Sequence, residues 1–259
     1  MKAVILAGGL GTRISEETAI KPKPMVEIGD MPILWHIMKI YSSHGVNDFV
    51  ILCGYKGHVI KEFFNSYLNR TSTVEFNFKD NSMKILDSEC EDWKVTLVDT
   101  GAATMTGGRI KRARKYIGTE PFFLTYGDGV SNVDITALHK QHTETKSLVT
   151  LTAVQPPGRF GAITLSANQT TINEYLEKPE GDGAWVNGGY FVVDPKAIDY
   201  ITEDSDSWEQ APLNTIASEG KLGAYKHRGF WQPMDTLRDK HYLESLWDSE
   251  TPPWKVWSD

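Results

Sequence analysis

The chain has 259 residues, 27 Lys+Arg against 34 Asp+Glu for a net charge of −7, two Cys and 40% hydrophobic residues. That length can bury a large core, as one big α/β domain or two small ones, and the hydrophobic content excludes wholesale disorder. The acidic balance excludes a general nucleic-acid coat, which needs a basic surface to displace counterions. Cys53 and Cys90 cannot form a disulfide framework and lack zinc-site spacing, as expected of a reducing compartment. The apolar run that opens the sequence stops at Gly8, Gly9 and Gly11, too short for a signal peptide or a spanning helix. A cytoplasmic protein with neither a membrane nor a nucleic-acid partner is expected.

Residues 2–6 read as a strand that enters a glycine loop and a basic stretch ending at Pro24. Ile33, Leu34, Ile37, Met38, Ile40 and Tyr41 recur at helical spacing, and 49–53 is a compact strand. Val59, Ile60, Phe63, Phe64, Tyr67 and Leu68 mark a second helix. Segments 74–78 and 95–98 read as strands around a polar insert, whose acidic stretch 87–92 is expected to be a solvated hairpin tip. Ile110, Ala113 and Ile117 predict a third helix, and 121–125 a buried strand. Strands follow at 148–154, 162–165, 171–176 and 190–193, with helices near 209–218 and 237–247. This alternation predicts an α/β fold with a Rossmann-like, mixed but mostly parallel sheet flanked by helices. No linker divides the chain. A single domain over 1–259 is expected, with a nucleotide-binding part at about 1–130, a sugar-binding part at about 131–235 and a helix with a Trp-rich tail at 236–259.

Gly8-Gly9-Leu10-Gly11-Thr12-Arg13 directly follows the first strand. Glycines there let backbone N–H groups approach a phosphate or a base, although a tight strand-exit turn explains the same residues. A P-loop would end in Gly-Lys-Ser/Thr, and a dinucleotide fingerprint would place a third Gly where Ile14 stands, so neither applies. In Lys21-Pro22-Lys23-Pro24-Met25 two prolines hold the lysines in an extended segment, where Lys23 and Arg13 make a cationic pair suited to polyphosphate. A solvated basic loop is the plainer reading. Asp128, in Gly127-Asp128-Gly129 beyond a buried strand, is a turn residue or a ligand-site carboxylate; Asp235, before a helix, is an N-cap or the second such carboxylate. Two carboxylates plus phosphates would hold Mg²⁺. The run Arg109 to Lys115 reads as a solvated helix face with only Arg109 functional, and His139 with His142 lacks a third metal ligand. The Trp-rich tail is too aromatic to be solvated and should pack on the core or on a neighbouring subunit.

Together with Pro22-Lys23-Pro24-Met25, the glycine loop resembles the sugar-1-phosphate nucleotidylyltransferases. The resemblance runs over nearly the whole chain through Tyr126-Gly127-Asp128, Glu177-Lys178-Pro179, Asn187-Gly188-Gly189-Tyr190 and the stretch from Gly229 to Asp235. Asp99-Thr100-Gly101 with Thr104-Met105-Thr106-Gly107-Gly108-Arg109 resembles the cytidylyl branch of that family, which takes glucose 1-phosphate. The resemblance implies a homo-oligomer that makes CDP-glucose and pyrophosphate from CTP and glucose 1-phosphate with Mg²⁺ on Asp128 and Asp235. It gives catalytic roles to Arg13 and Lys23, and places the cytosine over Leu6, Ala7, Gly8 and Gly9 near Thr104 and Arg109. Leu10, Gly11 and Thr12 complete the nucleotide loop, Glu177 and Lys178 contact the sugar phosphate, and Gly161, Gly188 and Gly189 let the backbone reach the hexose. UTP or another sugar phosphate, and a non-catalytic nucleotide-sugar binder, are the alternatives. A glycosyltransferase would show an Asp-x-Asp motif, and Asp128 is followed by Gly129-Val130.

Overall fold

A computed structural model describes residues 1–156, 158, 162–166, 170–177, 180, 184–249 and 251–258. Its strands are β1 (Lys2–Ala7), β2 (Glu27–Ile28), β3 (Met31–Pro32), β4 (Asp48–Cys53), β5 (Ser72–Asn77), β6 (Ser82–Ser88), β7 (Lys94–Asp99), β8 (Phe122–Tyr126) and β9 (Gly129–Ser131). They continue with β10 (Val149–Val154), β11 (Ala162–Leu165), β12 (Ile172–Leu176), β13 (Val186–Val193), β14 (Leu222–Lys226) and β15 (Trp231–Pro233). The helices are α1 (Ser15–Thr18), α2 (Ile33–Ser42), α3 (Gly57–Arg70), α4 (Thr106–Arg112), α5 (Arg114–Ile117), α6 (Ile135–Thr145), α7 (Ala211–Ser218) and α8 (Leu237–Trp247).

A seven-stranded sheet in the order β14-β10-β13-β8-β1-β4-β7 forms the centre, drawing strands from both halves of the sequence. Within it only β13 runs against its neighbours; the β1–β4, β1–β8, β4–β7 and β10–β14 pairs are parallel. The near-continuous apolar strands are explained by burial on both faces. In β1, Ala3, Ile5 and Ala7 enter one core and Val4 and Leu6 the other; in β4, Phe49, Ile51 and Cys53 face the first and Val50 and Leu52 the second. Helices α2, α3 and α6 cover the first face, and α4, α5 and α7 the second. The chain passes from β1 outward to β4 and β7, then returns to β8 on the other side of β1. That reversal opens a crevice beyond the carboxyl ends of β1 and β8, where open α/β sheets bind ligands.

Three local expectations are corrected. The hairpin β5–β6 turns at 78–81, so the acidic stretch 87–92 is its return strand and exit. Glu91 there is no solvated tip: it accepts from the Tyr67 hydroxyl at 2.6 Å and pairs with Lys39 at 3.2 Å. The third helix breaks at Ala113 into α4 and α5, although Ile110, Ala113 and Ile117 are all buried as their spacing requires. Lys23 is not in an extended segment but opens a 3₁₀ turn over Lys23–Met25, preceded by an extended Pro22.

The tail packs on the chain's own core. Trp254 is fully buried, stacked between Phe230 (5.7 Å) and Trp247 (5.9 Å), and its indole Nε1 donates to His36 Nδ1 at 3.4 Å. Because a carbonyl can only accept, His36 Nε2–H donates to Ile28 O at 2.9 Å, which leaves Nδ1 as the acceptor of a neutral ring. Burial lowers the His36 pKa to about 4. The unfolded chain therefore binds a proton that the folded one rejects, so stability is full above the ordinary histidine value and falls as pH drops toward about 4. The expected loss for this one group is up to about 3 kcal/mol, at ~1.4 kcal/mol per pH unit. Denaturant unfolding between neutral and mildly acidic pH checks it, and a flat profile would contradict the buried neutral imidazole.

Candidate active site

Two cavities meet at the sheet's carboxyl edge. The larger, about 470 Å³, is lined by the glycine loop from Leu6 to Arg13, by Lys23, Thr104, Thr106 and Arg109, and by Tyr126 and Asp128. The smaller, about 50 Å³, is lined by Asn187, Gly188, Gly189, Tyr190 and Trp231, and shares Tyr126 and Asp128 with the larger. Distant segments of the sequence thus converge on one cleft. Gly161 and Lys178 lie outside the described residues. Glu177 follows β12, accepts from the Tyr175 hydroxyl and lines neither cavity.

Arg109 is 4% exposed, against the usual habit of an arginine within a run of cations. Its Nη1 donates to Thr100 Oγ1 and to Gly101 O, both at 2.7 Å, and its Nη2 to Gly8 O at 3.0 Å. The guanidinium thereby braces the chain where it leaves β1 and β7, and it forms the cavity wall behind the glycine loop. A Cβ on Gly8 would lie 2.3 Å from Arg109 Cζ, so any larger residue there would have to displace the buried guanidinium. Burial, then the neighbouring Arg112, lowers the Arg109 pKa, yet a guanidinium stays charged.

On the opposite wall Lys23 Nζ sits 2.6 Å from Asp128 Oδ2 and 2.7 Å from Asp235 Oδ1. Asp235 Oδ2 also accepts from Arg13 Nη1 at 2.9 Å, and Arg13 is otherwise open to solvent. Burial works to lower the Lys23 pKa, but the Asp128 and Asp235 carboxylates outweigh it and raise the value. The two plainer readings of the carboxylates can now be judged. The N-cap of α8 is Thr236, in a capping box with Asp239, which leaves the Asp235 carboxylate to the cations. Asp128 bonds Met234 N through its backbone carbonyl, while its carboxylate turns to Lys23.

Two carboxylates converging on one cationic point form a hard-oxygen donor set. It fits a Mg²⁺ ion that keeps its remaining positions for water and phosphate. Among the described residues no cluster of three or more His, Cys, Asp or Glu offers a denser metal site. His142 is buried with Nδ1 at 2.9 Å from Thr150 Oγ1, a core contact. Burial raises the Cys53 thiol to about 11, so it is not a nucleophile.

A family model described as nucleotidyl transferase matches residues 2–249. The chain belongs to the nucleotidyl transferase family. This nucleotidyl transferase is 57% identical to the glucose-1-phosphate cytidylyltransferase of Salmonella typhi over 258 residues, 99% of this chain and 100% of that protein. It is 42% identical to the probable glucose-1-phosphate cytidylyltransferase of Bacillus subtilis strain 168, over 99% of this chain and 100% of that protein. Among solved structures, HddC from Yersinia pseudotuberculosis superimposes with a TM-score of 0.70 at 23% identity, covering 95% of this chain and 99% of that one. UDP-glucose pyrophosphorylase complexed with UDP-glucose gives 0.68 at 17% identity, over 96% and 99%. At these identities the structural likeness establishes the nucleotidyl transferase fold. Among the described residues no helix is long and apolar enough to cross a membrane.

Proposed function

We propose that the chain converts CTP and α-D-glucose 1-phosphate to CDP-glucose and pyrophosphate in a Mg²⁺-dependent single displacement. The observation that carries the choice of substrates is the 57% identity over 99% of the chain to a glucose-1-phosphate cytidylyltransferase. The chemistry suits the site, because the attacking sugar-phosphate oxygen is already an anion and needs no protein nucleophile. An oxygen–phosphorus bond forms at the α-phosphorus of CTP as the bond to the β-phosphate oxygen breaks, and pyrophosphate leaves with the electron pair. What the protein must supply is alignment and relief of anion–anion repulsion.

In this reading the larger cavity takes the nucleotide, with the cytosine near Leu6 to Gly9, Thr104 and the Arg109 wall. Arg13 holds the β- and γ-phosphates. Lys23 moves from the carboxylates to the α-phosphate and the sugar phosphate. Asp128 and Asp235 hold Mg²⁺, which when bound supplies Lewis-acid neutralisation of phosphate charge. The smaller cavity, with the Gly188 and Gly189 backbone, takes the hexose, so that the first part of the chain serves the nucleotide and the second the sugar. Glu177 and Lys178 enter as sugar-phosphate contacts, and Gly161 as a backbone contact to the hexose, from the resemblance alone. Exposed Phe76, Phe78 and Met83 on the β5–β6 hairpin support assembly as a homo-oligomer, which light scattering tests.

The reading is tested by incubating the chain with glucose 1-phosphate, Mg²⁺ and each nucleoside triphosphate in turn. Pyrophosphate release with CTP and a product of the mass of CDP-glucose are expected. No release with CTP, or faster release with UTP, would contradict it.

A further inference from the structure

The Thr106-Gly107-Gly108 stretch has a partner far along the sequence. Met105 N donates to Asp204 O and Gly107 N to Asp206 O, each at 2.9 Å, and a Cβ on Gly108 would lie 2.4 Å from Asp204 O. The 204–209 segment is therefore packed directly behind the cavity wall, and it ends in Glu209, whose carboxylate reaches both sides of the cleft. Glu209 Oε2 accepts from Thr106 Oγ1 at 2.7 Å and from Ser207 Oγ at 3.2 Å, while Oε1 accepts from the Tyr126 hydroxyl at 2.6 Å. Thr106 stands on the wall of the larger cavity, and Tyr126 at the joint between the two.

An ionised carboxylate has no proton to give, so it draws the protons of both hydroxyls toward itself. The two oxygens are left with lone pairs to offer elsewhere. Trp208 N takes one on Thr106 at 2.8 Å, and Asn187 Nδ2 approaches the Tyr126 oxygen at 3.4 Å.

We propose that Glu209, held in place by Thr106, is a positioning residue that fixes the Tyr126 hydroxyl as a hydrogen-bond acceptor for a hydroxyl of the sugar. This rests on the functional reading above and adds to it the polarity of the joint between nucleotide and sugar. Glutamine at 209 would keep the shape but only one accepting oxygen, so that one hydroxyl must turn its proton into the cleft.

The test compares wild type, Glu209→Gln, Glu209→Ala, Tyr126→Phe and the Glu209→Ala/Tyr126→Phe double variant in steady-state assays with CTP and glucose 1-phosphate. Melting curves accompany each variant. The KM for glucose 1-phosphate is expected to rise about tenfold in Glu209→Ala and in Tyr126→Phe, the size of one directed hydrogen bond. The CTP KM should stay within about twofold, and the double variant should be no worse than Tyr126→Phe, because the two residues share one interaction. Should Glu209→Ala fail to fold, the isosteric Glu209→Gln carries the test, with a smaller rise in the same KM. An unchanged glucose 1-phosphate KM, an equal rise for both substrates, or multiplicative effects in the double variant would overturn the proposal. A wild-type chain that turned over neither substrate would instead remove the functional reading, and this proposal with it.

Discussion

Lys23→Ala is expected to lower kcat/KM by at least about 10²–10³, the usual loss when one contact that stabilises developing charge is removed. The ammonium is placed against both carboxylates of the site, and in the proposed function it is the group that meets the α-phosphate and the sugar phosphate. Its raised pKa keeps it charged well beyond neutral pH. Any stability it contributes is present below the ordinary lysine value and lost only as pH climbs through the raised one, so neutral assays see a constant charge. The fold should survive. Asp128 and Asp235 are each about a third exposed, at 32% and 28%, so water and counter-ions can screen the pair once the ammonium is gone. Circular dichroism and a melting curve should show a folded variant alongside the collapsed rate, and near-normal turnover would remove Lys23 from the chemistry.

The second large effect concerns the carboxylates. Asp128→Asn and Asp235→Asn are each expected to lose at least about 10² in rate at limiting Mg²⁺, since a neutral amide is a far poorer ligand for a hard cation than a carboxylate. The loss should take the form of a raised Mg²⁺ requirement. Asp235→Asn should also release Arg13, whose guanidinium bonds Asp235 Oδ2. Mn²⁺ binding, followed by electron paramagnetic resonance in the presence of CTP, gives a readout independent of turnover. Wild-type Mn²⁺ affinity in both variants would contradict the assignment.

The parts of this site legible in the sequence are those whose chemistry depends on residue type and near neighbours. A strand running into Gly8-Gly9-Leu10-Gly11 announces a backbone surface, and strands alternating with helices announce the parallel sheet beneath it. Asp128 and Asp235 each admit a plain turn or cap role, and for Asp235 only the capping of α8 by Thr236 sets that role aside. Contacts between distant segments are not legible. Arg109 sits in a run of cations that otherwise belongs on a solvated face, and only the fold carries its guanidinium to Gly8 O. Glu209 carries no motif, and its bonds to Thr106 and Tyr126 each cross a long stretch of sequence. The turn at 78–81 is hard to place because the acidic residues after it look equally loop-like, while the pairing of Ser82–Ser88 with Ser72–Asn77 is a property of register.

The proposed reaction needs no protein nucleophile, because the sugar phosphate is itself an anion able to attack the α-phosphorus directly. The most direct test is the stereochemical course of the reaction, using a CTP analogue made chiral at the α-phosphorus by sulfur substitution. Inversion of configuration in the nucleotide-sugar product is the outcome of a single in-line displacement. Retention would mean two displacements through a covalent nucleotidyl-enzyme, and would contradict a direct attack aligned by Lys23, Asp128 and Asp235.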